Sequence, residues 1–224
     1  MNISKLFTHV LLTAVLVSGA GLVVAEEPEI CAPFKNGMVD ETLLETMLSA
    51  AHNGHLYRIQ QNSSQVGFCV ESKVSHVEGH FHNFQGGMTL NPRANDNGQT
   101  MVLIKAASLD TEGAIIENLL KGEGFFDVKN HPEILFVSNG FEWTGPDTAV
   151  LKGNLTMRGI TKPVVFDVTL KPIDSDKSVD QAQKILVKAT TTINRSDFGM
   201  DKLEMVVNNT VQLCMTVEAE KYHS

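Results

Sequence analysis

The chain has 224 residues, of which 18 are Lys or Arg and 26 are Asp or Glu, giving a formal net charge of −8 at pH 7. This length suits one domain with a sizeable core. An acidic chain without a basic stripe repels nucleic acid and anionic lipid surfaces, which excludes nucleic-acid binding as its function.

Residues 1–25 predict a secretory signal peptide. Lys5 supplies the charged start, an apolar stretch follows, and small residues end at Ala25 before an acidic segment. The apolar run is short and interrupted by polar residues, which favours a cleaved Sec-type signal over a membrane anchor. We therefore expect an exported protein that begins at Glu26.

Residues 26–56 predict a helical extension. Its apolar residues recur at helical spacing: Leu43, Leu44, Met47, Leu48 and Ala51. Asp40 is a suitable N-cap and Gly54 a natural stop. The pattern indicates a short amphipathic helix whose apolar stripe must be buried against another part of the protein.

Residues 57–221 predict an all-β domain. From the segment VGFCV (66–70) to the segment VQLCMTV (211–217), apolar residues alternate with more polar ones, and Gly-, Pro- and Asn-rich turns separate the runs. Seven or eight antiparallel strands of this kind close into a barrel or pack as a sandwich. One short helix, ending near Gly122, interrupts the strands.

The large apolar side chains in and around these strands are candidates for a ligand-binding surface. They are Phe68, Phe84, Phe125, Phe126, Phe136, Leu155, Met157 and Phe166. Eight strands leave room either for packed side chains or for one small ligand, so the periodicity leaves both interpretations open. The small inward residues Ala106, Gly153 and Ala189 fit a barrel with some free space.

Three histidines within seven residues, His76, His80 and His82, raise the question of a metal site. If the chain is extended there, His80 and His82 point outward and Phe81 points inward. A metal site needs three or four convergent ligands with supporting contacts, and no established ligand spacing occurs. We expect no metal and attribute the stretch to its glycines and phenylalanines.

The three cysteines, Cys31, Cys69 and Cys214, predict one disulfide and one free thiol in an exported protein. Cys69 and Cys214 are expected to point outward and to lie side by side if the first and last strands meet. Either they pair with each other, or Cys31 bridges to one of them. The Cys31 bridge is favoured because little else would hold the extension. The remaining thiol also allows a disulfide-linked homodimer.

The sequence offers little support for catalysis. It shows no nucleophile–base order, no paired carboxylates and no phosphate loop. The conspicuous polar residues are expected in turns with structural roles: Asp110, Thr111, Lys162, Arg195 and Asp197. We expect no catalytic residue and no cofactor.

Three patches of the chain resemble the YceI family of exported bacterial lipid-binding proteins. The first is GHFHNFQG (79–86), and the second is SLDT (108–111) followed by FFDVKNHPEILFVS (125–138). The third is LKGNLTMRGITKPVVFDV (151–168) with INRSDFGM (193–200) after it. Each patch is short, but their order across roughly three quarters of the chain makes the resemblance specific.

The resemblance implies a closed, antiparallel, eight-stranded lipocalin-like barrel in the periplasm. It implies a long-chain isoprenoid lipid or quinone as ligand, and it allows transient contact with a membrane. Residues 117–121 (ENLLK) lack the histidine and arginine that relatives often carry there, so the ligand head group is not indicated. The alternative is a filled barrel that protects against stress or engages a partner through its helix or free thiol.

Overall fold

The computed structural model describes residues 41–73, 76–90, 98–173, 178–179 and 181–222. The predicted signal peptide, the start of the extension and Cys31 lie outside these residues. The described chain contains two helices, α1 (Glu41–His52) and α2 (Ala114–Lys121). Its strands are β1 (Leu56–Ile59), β2 (Gln65–Ser72), β3 (His76–Phe81), β4 (Phe84–Thr89), β5 (Thr100–Lys105), β6 (Leu109–Thr111), β7 (Glu133–Trp143), β8 (Thr148–Met157), β9 (Ile160–Pro172), β10 (Lys184–Asn194) and β11 (Val207–Lys221).

The strands form a closed antiparallel barrel. Its ring runs β1-β4-β5-β7-β8-β9-β10-β11, and the pairing of β11 with β1 closes it. The strands β2, β3 and β6 continue β1, β4 and β5 past short interruptions and pair in the order β11-β2-β3-β6. The barrel therefore has eight long strands, three of them broken once. The predicted eight-stranded barrel with two helices is confirmed, and the sandwich is excluded.

The hairpin connections divide between two ends of the barrel. We call "upper" the end that holds the β2–β3 connection, residues 112–132 with α2, the β8–β9 turn and the β10–β11 loop of residues 195–206. At this end β6 pairs with β3. The next strand in the chain, β7, has different partners, namely β5 and β8. The long segment that contains α2 connects β6 to β7 at this end.

The alternation that predicted the strands matches the observed burial. Positions such as Phe68, Phe166 and Val187 are buried inside the barrel, as expected from period-two patterning. Leu213 and Met215 on β11 share the inward face but are only partly buried. Most of the inward face thus forms one apolar core.

The helix α1 covers part of the outer wall. Its Met47 and Ala51 are buried against outward side chains of the barrel, including Met101 and Leu103 of β5. The helix is followed by Gly54 in the left-handed region at φ 68°, as the stop signal predicted. Burial of the apolar stripe, which the sequence required, therefore takes place outside the barrel.

A β-bulge in β7 changes which residues point inward. The register with β8 shifts between Ser138 and Gly140, so that Phe136 and Phe141 both face the interior although they are an odd number of residues apart. A bulge of this kind inserts one extra residue and reverses the alternation. This reversal places Phe141 in the core.

Three polar residues lie in strands rather than in the predicted turns. Asp110 and Thr111 belong to β6, because the chain resumes an extended course after a short turn at Ala106–Ser108. Lys162 belongs to β9, which begins directly after the tight turn at residues 158–159. Arg195 and Asp197 do lie in a turn, Arg195–Phe198.

No helix in the part of the chain that the structure describes is long and apolar enough to cross a bilayer.

Candidate functional site

The barrel encloses an apolar cavity of about 300 Å³. Such a volume lies at the lower end of small-molecule sites, which span ~300–1,000 Å³. It is about twice the ~150 Å³ of an engineered cavity that stays dry and binds benzene. The lining is almost entirely aliphatic and aromatic, so the cavity favours a hydrocarbon guest over water.

Seven of the eight candidate ligand-binding residues line this cavity. They are Phe68, Phe125, Phe126, Phe136, Leu155, Met157 and Phe166. Phe84 is buried in the surrounding core instead, facing Ile104 across the β4–β5 pair. Its cross-strand neighbour Ile104 does line the cavity, so Phe84 shares the inward face that alternation predicts. Alternation does not distinguish inward side chains that border the cavity from those packed around it.

Several lining residues were missing from the candidate set. Phe81 and Phe141 line the cavity, as do Leu119 of α2 and Arg195 of the β10–β11 loop. The alternation of Phe81 with outward histidines was a sufficient signal for the first. The other three depend on the bulge in β7 or on how upper-end segments fold over the barrel, which the pattern does not specify.

Three aromatic rings pack together beneath the segment that follows α2. Phe126 of that segment lies 5.5 Å from Phe68 and 5.5 Å from Phe81, measured between ring centroids. The Phe81–Phe126 pair is edge-to-face, an arrangement that aromatic quadrupoles favour. The rings hold this segment against β2 and β3 and form part of the cavity wall.

Two glycines make room for phenylalanine rings. A Cβ atom at Gly79 would lie 2.5 Å from Cζ of Phe68, on the neighbouring strand. A Cβ atom at Gly153 would lie 2.5 Å from Cζ of Phe136. The Phe136 ring thus occupies the space beside Gly153, whereas Ala189, another of the small inward residues, lines the cavity. Each ring lies over the backbone of its glycine, and a larger residue at that glycine position would displace the ring.

Two arginines fasten the segments around the cavity at the upper end. The Arg195 side chain is buried and donates hydrogen bonds to the carbonyls of Lys202 (2.9 Å), Asn208 (3.1 Å), Val207 (3.2 Å) and Met200. From the β8–β9 turn, a second guanidinium, that of Arg158, donates to carbonyls of the segment after α2. Loop geometry at this end therefore depends on guanidinium–carbonyl bonds.

The cavity opens between α2 and the β10–β11 loop. Three side chains line the cavity and are also exposed to solvent. They are Leu119 (45% exposed), Leu203 (47%) and Val206 (39%). The first lies on α2 and the other two on the β10–β11 loop. We call this opening the mouth.

The three histidines do not converge. His76 contacts carboxylates at both ring nitrogens, with Glu71 at 2.6 Å and Glu78 at 3.0 Å, and these hydrogen bonds raise the pKa of His76. His82 lies 3.2 Å from Asp110, which lowers the pKa of that carboxyl. Over the described ranges, no three His, Cys, Asp or Glu side chains form a metal-binding group.

Cys69 and Cys214 are free thiols on neighbouring strands of the outer wall. Cys69 pairs in register with Gln212 and Cys214 with Gly67, so the two are diagonal neighbours at the junction of the first and last strands. Burial raises the pKa of Cys69, and the adjacent Cys214 raises it further. Which cysteines pair stays a prediction, because Cys31 lies outside the described residues.

The chain is similar to UPF0312 proteins of several bacteria. A UPF0312 protein of Pseudomonas putida (strain GB-1) is 34% identical over 157 residues, covering 68% of this chain and 80% of that protein. A UPF0312 protein of Azotobacter vinelandii (strain DJ / ATCC BAA-1303) is 29% identical over 154 residues, covering 66% and 79%.

Solved structures share the fold. Burkholderia cenocepacia BcnA matches with a TM-score of 0.64 and 22% identity, covering 71% of this chain and 98% of that one. The Campylobacter jejuni YCEI protein matches with a TM-score of 0.58 and 26% identity, covering 66% and 86%. A polyisoprenoid binding domain from Saccharophagus degradans matches with a TM-score of 0.58 and 14% identity, covering 74% and 98%.

The model of one protein family, described as the YceI-like domain, matches residues 57–219. These residues contain all the strands of the barrel except the first residue of β1 and the last two of β11. Because the match spans well over half of the chain, this protein belongs to the YceI-like domain family.

Proposed function

We propose that this protein holds a polyisoprenoid or isoprenoid-quinone chain inside its barrel as a carrier or buffer in the periplasm. The observation that carries the proposal is the apolar cavity of about 300 Å³ with its mouth at the upper end. The fold shared with a polyisoprenoid binding domain supports it. The predicted signal peptide supports export, and the proposal assigns no reaction to the protein.

The size of the cavity limits how much of a chain it encloses. By comparison with the ~150 Å³ cavity that holds the six carbons of benzene, about 300 Å³ accommodates roughly a dozen carbon atoms. That corresponds to two or three isoprene units. A longer tail must therefore extend through the mouth or displace side chains of the cavity wall.

The energetics suit reversible loading. Removing one methylene from water contributes ~0.8 kcal/mol, so each five-carbon unit contributes about 4 kcal/mol relative to water. A tail that comes from a bilayer leaves one hydrocarbon environment for another, and most of that gain cancels. The net exchange is then small enough for release, which a carrier or buffer requires.

The cavity supports the binding interpretation over the filled barrel. The alternative also assigned partner contact to the N-terminal helix, but the Met47 and Ala51 face of α1 is already buried against the barrel wall. Thiol-linked homodimers stay a prediction of that alternative. Non-reducing electrophoresis of the purified protein tests it directly.

The proposal is tested by binding of a prenyl quinone added from detergent solution and measured by native mass spectrometry. Wild type is expected to bind one molecule. Ala189→Phe introduces a ring at a cavity-lining position and is expected to reduce binding at least tenfold. Lys188→Phe introduces the same ring on the exposed outer face of the same strand and serves as the matched control.

Two results would contradict the proposal. One is wild-type protein that never takes up a prenyl compound. The other is undiminished binding by folded Ala189→Phe, since that would place the ligand elsewhere.

A further inference from the structure

Exposed apolar side chains concentrate around the mouth. Nine large apolar side chains of the described residues are exposed, and six of them lie at the upper end. These six are Ile115, Leu119, Ile160, Leu203, Met205 and Val206. Contiguous exposed apolar surface on a water-soluble domain marks an interaction site more often than scattered single residues do.

The most exposed members of this set stand beside the mouth without lining the cavity. Ile115 on α2 is 87% exposed and Met205 on the β10–β11 loop is 82% exposed. Their neighbours Leu119, Leu203 and Val206 continue the apolar surface into the cavity. The segment that follows α2 also contacts the β10–β11 loop, because the Lys202 side chain lies against Gly124. We call the six residues the mouth patch.

We propose that the mouth patch docks on the surface of a zwitterionic lipid bilayer, so that an apolar chain passes between bilayer and cavity without crossing water. This inference rests on the proposed function for its purpose. It commits to a bilayer because the patch is continuous with the cavity lining. A partner that covered the patch permanently would close the mouth through which we expect the chain to pass.

The charges beside the patch favour a neutral membrane over an anionic one. The three segments that carry the patch, residues 112–124, 158–162 and 201–206, hold four basic and five acidic side chains, a sum of 4 − 5 = −1. In α2, the Lys121 ammonium lies 2.7 Å from the Glu117 carboxylate, so this pair contributes no net charge. A rim without excess positive charge gains nothing from anionic headgroups. Docking therefore depends on insertion of apolar side chains into the interface.

The test compares two double variants on vesicles of phosphatidylcholine. Ile115→Asp/Met205→Asp removes the two most exposed patch side chains, neither of which lines the cavity. Val165→Asp/Ile173→Asp is the matched control: both are exposed apolar residues, one on the barrel wall and one at the lower end. Vesicle partitioning is measured by co-sedimentation for wild type and both variants.

Wild type and the control are expected to partition alike, and the patch variant about tenfold or more weaker. We expect this factor because burying one side chain of this size changes a partition constant by roughly ten- to a hundredfold. Transfer of a fluorescent prenyl probe from the vesicles should slow by a similar factor in the patch variant. Loading of the same probe from detergent solution should be unchanged.

Several outcomes overturn the inference. Partitioning that is absent in wild type, or unchanged in the patch variant, removes the bilayer contact. If vesicle binding requires the anionic lipid phosphatidylglycerol, the proposed docking on a neutral bilayer is wrong. A concentration-dependent dimer in sedimentation velocity that the patch variant abolishes, without vesicle binding, assigns the patch to a second copy of the chain.

These outcomes are separate from failure of the proposed function. If the probe never loads from detergent, the cavity is not a ligand site, whether or not the protein partitions onto vesicles. If the probe loads from detergent but vesicle binding is absent, the ligand site stands and only the docking inference fails.

Discussion

At the scale of single residues, the interior is shaped by close contacts between glycines and aromatic rings. The Phe136 ring lies over Gly153, and the carbonyl oxygen of Val137 would lie 2.6 Å from a Cβ atom there. A ring can rotate, but a carbonyl within a hydrogen-bonded sheet moves only with its strand. Gly153 is therefore required by the β7–β8 pair rather than by a ligand.

We predict that Gly153→Ala lowers the free energy of unfolding by about 1–3 kcal/mol, the usual cost of overpacking a core. Urea denaturation measures this change. Gly140→Ala on the adjacent strand is the control, because its Cβ atom would meet only Lys152 at 3.7 Å. Its effect should stay within about 1 kcal/mol of wild type. Equal stability of Gly153→Ala and wild type would show that β7 and β8 separate easily at this point.

At the scale of elements, the β10–β11 loop is organised by one buried side chain. Arg195 donates hydrogen bonds to the carbonyls of Met200 and Lys202 within the loop. It also donates hydrogen bonds to the carbonyls of Val207 and Asn208 at the start of β11. Each bond to a charged donor contributes ~1.5–3 kcal/mol, and buried carbonyls left without a donor carry a desolvation cost. The position of Leu203 and Val206 at the mouth follows from this side chain.

We predict that Arg195→Ala destabilises the protein by about 2–4 kcal/mol and accelerates amide hydrogen exchange in residues 200–208 more than in β8 and β9. Arg195→Lys should not restore protection, because an ammonium cannot reproduce the geometry of a guanidinium. Lys188→Ala, on the exposed face of β10, is the control. Unaltered exchange in the loop of Arg195→Ala would mean that the loop is held by other contacts.

At the scale of the whole molecule, the barrel surrounds an apolar space that its own side chains leave unfilled. Removing surface from water drives folding, but a cavity loses the contacts of its lining atoms. A guest that fills the cavity restores those contacts and binds only the folded state. Stability and ligand occupancy are therefore linked.

We predict that saturating prenyl ligand raises the thermal midpoint of delipidated protein by roughly 5–10 °C. A ligand at one hundred times its dissociation constant contributes ~2.7 kcal/mol, and 1 kcal/mol shifts a domain of this size by ~2–4 °C. Differential scanning calorimetry measures the shift. Ala189→Phe, whose cavity is filled, should show almost none. A shift of the same size in that variant would indicate binding outside the barrel.

Much of the architecture could be read from the sequence because periodicity reports on burial. Alternation predicted the strands, and helical spacing with Gly54 predicted the position and end of α1. Seven of the eight candidate residues line the cavity because strand alternation and the phenylalanines after α2 already mark an apolar interior. Phe84 differs because alternation predicts which side chains face inward, but not which of them border the empty space.

What the sequence determined by itself is which side chains avoid water and how often the chain reverses. Only the tertiary structure decided the β7 bulge that turns Phe141 inward, the ring that fills the space at Gly153, and the meeting of α2 with the β10–β11 loop at one mouth. These features depend on atoms from distant parts of the chain that compete for the same volume. Local patterning is repeated along each strand, whereas the shape of a cavity is set by contacts between strands and loops.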